Sequence, residues 1–213
     1  MKNQPLWQEY RPKTYAEVVA QDKAIEVLAR LRKRSLYGRA YWISGKSGTG
    51  KTTIARILAA ELADPYCITA VSGNQVNAEF LREMESGLQY RGFGRGGKVW
   101  IVDEAHLLRA PMVSRLLTIL EDLPDFAAVI FTTTRQGEDR LFEENIDAGP
   151  FASRCVDLAL AQRDLIKPLA ARAREIAVDA GIDGKPIERY EKLLREKRSN
   201  MRHALEAIEE GAF

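Results

Sequence analysis

The chain has 213 residues, 46% hydrophobic and 29% charged, which fits one large globular domain or one domain with a small appendage and excludes a disordered or fibrous chain. A net charge of +2 excludes bulk basicity as a signal for nucleic acid, so any such contact must come from local clusters. Two distant cysteines, Cys67 and Cys155, exclude a disulfide scaffold and a four-cysteine zinc site. With no apolar run of membrane-spanning length and no signal-peptide core, they are expected as buried thiols of a cytoplasmic protein.

Residues 1–20 open the chain with Trp7-Gln8-Glu9-Tyr10-Arg11-Pro12-Lys13-Thr14, polar and aromatic, with a proline that stops a helix. The segment reads as an arm packed on the surface or as a strap over a nucleotide base, with Tyr10 and Val18 or Val19 as apolar contacts. The residues alone favour the arm. Gln21 to Arg34 carries Ile25, Leu28 and Leu31 at helical spacing and ends in a basic cluster that suits a solvated helix end.

Ala40 to Ser44 is a short apolar run that reads as a buried strand. Gly45-Lys46-Ser47-Gly48-Thr49-Gly50-Lys51-Thr52 follows and matches G-x-x-x-x-G-K-[ST], a phosphate-binding P-loop. Thr53 to Leu62 then has helical spacing. The motif therefore has the strand–loop–helix setting its chemistry needs. Backbone N–H groups and the helix N-terminus face the phosphates, Lys51 reaches the β- and γ-phosphates, and the Thr52 hydroxyl ligates Mg²⁺.

Cys67 to Val71 reads as a second strand, and Asn77 to Leu88 as a helix with Phe80, Leu81, Met84 and Leu88 on one face. Arg91 to Lys98 is a glycine-rich basic loop, read equally as a connector and as a contact to a nucleic-acid backbone. Val99-Trp100-Ile101-Val102 is a buried strand ending in Asp103-Glu104. In an open α/β sheet ligands sit at the C-terminal strand ends, so Asp103 is expected to hold Mg²⁺ and Glu104 to deprotonate an attacking water. Met112 to Leu123 reads as an amphipathic helix, and Ala127 to Phe131 as a strand that ends in three threonines. Residues 135–152 read as an acidic loop, and Val156 to Leu160 as a fifth strand. Helical patterns over 162–180, 186–196 and 200–209 follow. The spacing predicts an α/β core of five mostly parallel strands over residues 1–161 and a small helical lid over 162–213.

Taken in order, these motifs resemble the AAA+ ATPase superfamily and, within it, the DNA polymerase clamp-loader subunits. The opening from Trp7 to Gln21 is similar to W-x-x-[KY]-R-P-x-[TS]…V-V-G-Q, with Ala20 where the family usually has glycine. This raises the reading of Tyr10, Arg11, Pro12, Val18 and Val19 as a strap over the base. Asp103-Glu104-Ala105-His106 resembles the Walker B stretch, and Thr133 falls at the polar sensor 1 position. Ser153-Arg154-Cys155 matches the S-R-C motif, and Asn200-Met201-Arg202-His203-Ala204-Leu205 resembles the sensor 2 region.

The resemblance implies an ATPase that binds ATP or ADP with Mg²⁺. Lys51, Thr52, Asp103, Glu104, Thr133 and Arg202 act in cis, and Arg154 is an arginine finger that completes a neighbouring subunit's site. It also implies a homo- or hetero-oligomer with other clamp-loader-type subunits, a sliding clamp and primer–template DNA as partners. Family members continue into a helical collar that this sequence does not include. That leaves open a removed collar, another route of assembly, a compact variant, or a helicase-loader, recombination-type or little-turning-over assembly role.

Overall fold

In the computed structural model, residues 4–134, 149–182 and 184–211 are described. The acidic stretch 135–148, with Glu138, Asp139, Glu143, Glu144 and Asp147, lies outside them. Five strands, β1 (Arg39–Ser44), β2 (Ile68–Ser72), β3 (Lys98–Asp103), β4 (Ala127–Thr133) and β5 (Cys155–Ala159), form one sheet in the order β2-β3-β4-β1-β5. Every pairing is parallel, so all five C-terminal ends share one edge. This is an α/β fold with a wholly parallel sheet.

The strands are apolar on both faces because both faces are covered, the general condition of a parallel sheet. On one face Trp42, Trp100, Val102, Val129 and Phe131 pack with Leu81 and Met84 of α4 (Ala78–Gly87) and Leu116 and Leu120 of α5 (Ala110–Glu121). On the other, Tyr41, Ile43, Ile101 and Ile130 meet Leu28 of α2 (Asp22–Arg32) and Ile54 and Leu58 of α3 (Lys51–Leu62). Trp42, Phe131 and Phe151 form an aromatic cluster with ring centroids 4.7–5.8 Å apart.

A third apolar cluster joins α7 (Ile166–Asp179), α8 (Ile187–Glu196) and α9 (Met201–Glu209), with Leu169, Ile176, Tyr190, Leu194, Leu205 and Ile208 at its centre. Leu6 of a short helix, α1 (Leu6–Glu9), is buried in the same cluster. The Leu6 N–H donates to Glu209 Oε2 at 3.3 Å, and the Tyr10 hydroxyl donates to Asp179 Oδ2 at 2.6 Å. The opening segment is therefore partly helical and docks on the last helices.

Several boundaries differ from the sequence expectation. α5 starts two residues early because Pro111 suits a first helical turn. β4 runs on through Thr132 and Thr133. Residues 149–152 form a short helix, α6, where a loop was expected. Both cysteines are free and half-buried rather than fully buried. Burial pushes the Cys155 thiol up to about 12, so it stays protonated. In the glycine-rich loop, Arg91 pairs with Asp125 at 2.8 Å, Arg95 donates to Ala60 O, and Lys98 donates to Gly87 O. These cations brace the sheet end remote from the P-loop. Among the described residues no helix is long and apolar enough to cross a membrane.

Candidate functional site

The P-loop leaves β1 at Ser44 and turns back into α3. Gly48 and Gly50 take left-handed φ values of +79° and +98°, a region costly for side-chain-bearing residues. Inside the turn the Thr49 hydroxyl donates to Lys46 O at 2.7 Å, and Lys51 Nζ donates to the same carbonyl at 3.0 Å. Gln21, almost fully buried, ties the loop down. Its Nε2 donates to Thr49 O at 3.3 Å, and its Oε1 accepts from the Ala161 N–H at 2.7 Å.

β3 delivers Asp103 beside α3. The Thr52 hydroxyl lies 3.2 Å from each Asp103 carboxylate oxygen. The Thr132 hydroxyl donates to Asp103 Oδ1 and accepts from the Glu104 N–H at 3.3 Å. Glu104 adopts a left-handed φ of +53°, a strained backbone for a residue with a Cβ. Its Oε2 lies 3.2 Å from His106 Nδ1, and Thr133 Oγ1 lies 3.3 Å from the same nitrogen.

Of these groups, Gly48, Thr49, Gly50, Lys51, Thr52, Asp103 and Glu104 line a cavity of about 300 Å³. Of the residues singled out in the sequence, Tyr10, Arg11, Pro12, Val18, Val19, Ser47, Gly48, Thr49, Gly50, Lys51, Thr52, Thr53, Asp103, Glu104 and Arg202 all border it. Gly45, Lys46, Thr133 and Arg154 do not. Gly45 and Lys46 form the back of the loop. Thr133 meets His106, and the threonine that touches Asp103 is Thr132. Arg154 is turned away. It pairs with Glu121 of α5 and donates to Pro150 O at 2.8 Å, and its Nε is buried without a partner. Sequence reading passed over Trp7 and Asn200 as cavity residues, and among the three strand-end threonines it singled out Thr133 rather than Thr132. Trp7 and Asn200 stand inside quoted motifs, and Thr132 differs from Thr133 only by strand parity.

The electrostatics favour an anion. Burial pushes the Lys51 ammonium below its ordinary value and Arg202 adds to this, while Glu104 and Asp103 oppose it. Burial also lowers Arg11, with Arg56 and Arg202 adding repulsion. Several cations thus face one cavity beside the phosphate loop and the start of α3, an arrangement relieved by a polyphosphate. For Mg²⁺, Thr52 and Asp103 offer hard oxygens. No group of three or more acidic, His or Cys side chains that could hold a metal ion gathers among the described residues.

A parallel sheet with a P-loop at its C-terminal edge and a paired acidic strand end beside it defines a P-loop nucleotide-binding protein. The family model for the ATPase family associated with various cellular activities (AAA) matches residues 41–154, and the chain belongs to that family. It is 31% identical over 157 residues to DNA polymerase III subunit tau/gamma of Haemophilus influenzae, covering 63% of this chain and 23% of that protein. It is 29% identical over 157 residues to DNA polymerase III subunit tau of Escherichia coli, covering 63% and 24%. The chain thus spans about a quarter of the length of these curated relatives. Among solved structures it is similar to the Thermotoga maritima RuvB Holliday junction branch migration motor, with a TM-score of 0.70 and 25% identity, over 94% of this chain and 64% of that one.

Proposed function

We propose that this chain is the ATP-hydrolysing module of a clamp-loader-type subunit. It would use Mg-ATP to drive a sliding clamp onto primer–template DNA in an oligomer with related subunits. The observation that carries the reading is the convergence of Lys51, Thr52, Asp103 and Glu104 in one cavity, beneath Asn200 and Arg202 of the C-terminal helices. Residues 1–161 serve as the nucleotide-binding core and 162–213 as the lid, with α1 docked on the lid side.

In this reading the P-loop N–H groups and Lys51 bind the phosphates. Thr52 and Asp103 would hold a metal ion, which would supply neutralisation of phosphate charge. Glu104 accepts the proton of the attacking water, and its strained backbone aims the carboxylate past the end of β3. Arg202 meets the phosphate end from above. Arg154 points away from its own cavity, which suits a finger acting on a neighbour, a role that contributes about 10³–10⁵ in rate where it operates. The likeness to RuvB over nearly the whole chain supports a second reading, an AAA motor that remodels branched or duplex DNA.

The test is DNA-stimulated ATP turnover by the parent, Lys51→Ala, Glu104→Gln and Arg154→Ala proteins, with retention on an immobilised clamp. Lys51→Ala should lose binding, Glu104→Gln should bind without turnover, and Arg154→Ala should bind ATP yet lose assembly-dependent turnover. Turnover by Glu104→Gln at the parent rate would remove Glu104 as the base. Turnover without clamp retention would favour the remodelling reading.

A further inference from the structure

Three tryptophans are present, and two of them, Trp42 and Trp100, belong to the core of the sheet. Trp7 is different. It sits on α1, borders the cavity and packs against the helical cluster. The Arg202 guanidinium carbon lies 4.4 Å from the Trp7 ring centroid, and that of Arg11 lies 5.2 Å from it. Both distances are within cation–π range. Among the described residues Arg202 forms no hydrogen bond or ion pair, so the indole face is its principal contact within the cavity.

A guanidinium stacked on a ring uses its face and leaves its in-plane N–H donors free. The stack therefore orients Arg202 without consuming the groups that bind an anion. It also gathers two like-charged guanidiniums over one ring, which raises the positive potential at this side of the cavity. α1 is held firmly enough to serve as a base for this, through Leu6 in the apolar cluster and the Tyr10 and Leu6 hydrogen bonds to Asp179 and Glu209.

We propose that Trp7 is a positioning residue, the platform that aims Arg202 at the terminal phosphate and so favours a nucleoside triphosphate over a diphosphate. The inference rests on the nucleotide-site reading above and names what sets its selectivity. A prop for the fold or a stacking surface for the base would act on both nucleotides alike. A platform for Arg202 acts on the one with the extra phosphate.

The experiment is calorimetric titration of the full chain with ADP and with a non-hydrolysable ATP analogue. The variants are Trp7→Leu, Trp7→Phe, Arg202→Ala and the Trp7→Leu/Arg202→Ala double, each checked by thermal melting. Trp7→Leu should weaken the triphosphate about 3- to 10-fold and ADP by less than about 2-fold, with Trp7→Phe recovering part of the loss. In the Arg202→Ala background Trp7→Leu should add nothing further. Equal losses for both nucleotides, or an undiminished loss without Arg202, would overturn the platform. A parent protein that binds neither nucleotide would overturn the nucleotide site itself and the platform with it. A parent that prefers the triphosphate while Trp7→Leu keeps the same preference sinks only the platform.

Discussion

Asn200 closes over Gly48 so tightly that no side chain fits between them. A Cβ built on Gly48 would lie 2.4 Å from both Cγ and Oδ1 of Asn200 and 2.8 Å from its Cα. Asn200 also caps α9, its Oδ1 accepting from the His203 N–H at 3.3 Å. The start of the helix that carries Arg202 is thereby seated directly on the P-loop. Gly48→Ala should force the two apart and strain a left-handed φ as well. The expected result is a loss of about 1–3 kcal/mol in stability and roughly tenfold or more in nucleotide affinity, read by denaturant unfolding and by titration.

Ala20 and Ser199 hold left-handed φ values of +58° and +59° without being glycine. Such a backbone costs an L-residue roughly 1–2 kcal/mol, partly offset by the larger entropy a glycine loses on folding. Ala20→Gly and Ser199→Gly should each raise stability by up to about 1 kcal/mol, or about 2–4 °C in Tm. A drop in Tm for both would show that neighbouring contacts, not φ, set the energy at these turns.

Thr132 and Thr133 are adjacent yet face different partners, because successive strand residues point to opposite faces. Thr132 bonds Asp103 and the Glu104 N–H, whereas Thr133 meets His106. Thr132→Val should raise the Mg²⁺ concentration needed for half-maximal turnover. Thr133→Val should leave that requirement unchanged and lower the turnover rate. A metal titration of both variants separates the two, and an unchanged requirement in Thr132→Val would detach Thr132 from the metal site.

The hydrogen bond to Asp179 is the main reason that the Tyr10 phenol is pushed up to about 12. A raised folded value means the neutral form is favoured in the folded state. The contribution is complete below the unfolded value near 10 and is lost as pH climbs to about 12. The dock of α1 on α7 should therefore loosen over that window. Asp179→Asn should bring the Tyr10 ionisation down toward its ordinary value, as followed by ultraviolet difference absorbance. No movement of any tyrosine titration in Asp179→Asn would count against this link.

The strands and the phosphate loop were legible because their signals are local. Apolar runs such as Val99 to Val102 are buried on both sheet faces, and the glycine spacing fixes the turn. Asp103 and Glu104 followed from the rule that ligands gather at C-terminal strand ends. What stayed hidden depends on contacts far apart in sequence. Nothing near Leu6 announces that it packs with Leu205 and Ile208, and nothing near Gln21 announces its bonds to Thr49 and Ala161. The choice between Thr132 and Thr133 turned on strand parity at an end extended by two residues, finer than periodicity resolves. The pairing of Arg154 with Glu121 is likewise a tertiary contact between α5 and the segment before β5.

Because α1 docks on the last helices while α2 belongs to the sheet, the backbone passes between the two bodies twice, over residues 11–21 and 160–165. Gln21 bonds both the second passage and the P-loop, so the two connections are pinned to each other at one spot. One side chain thereby holds the phosphate loop and both lengths of chain leading to the helical cluster at a single point, and losing it would free all three at once.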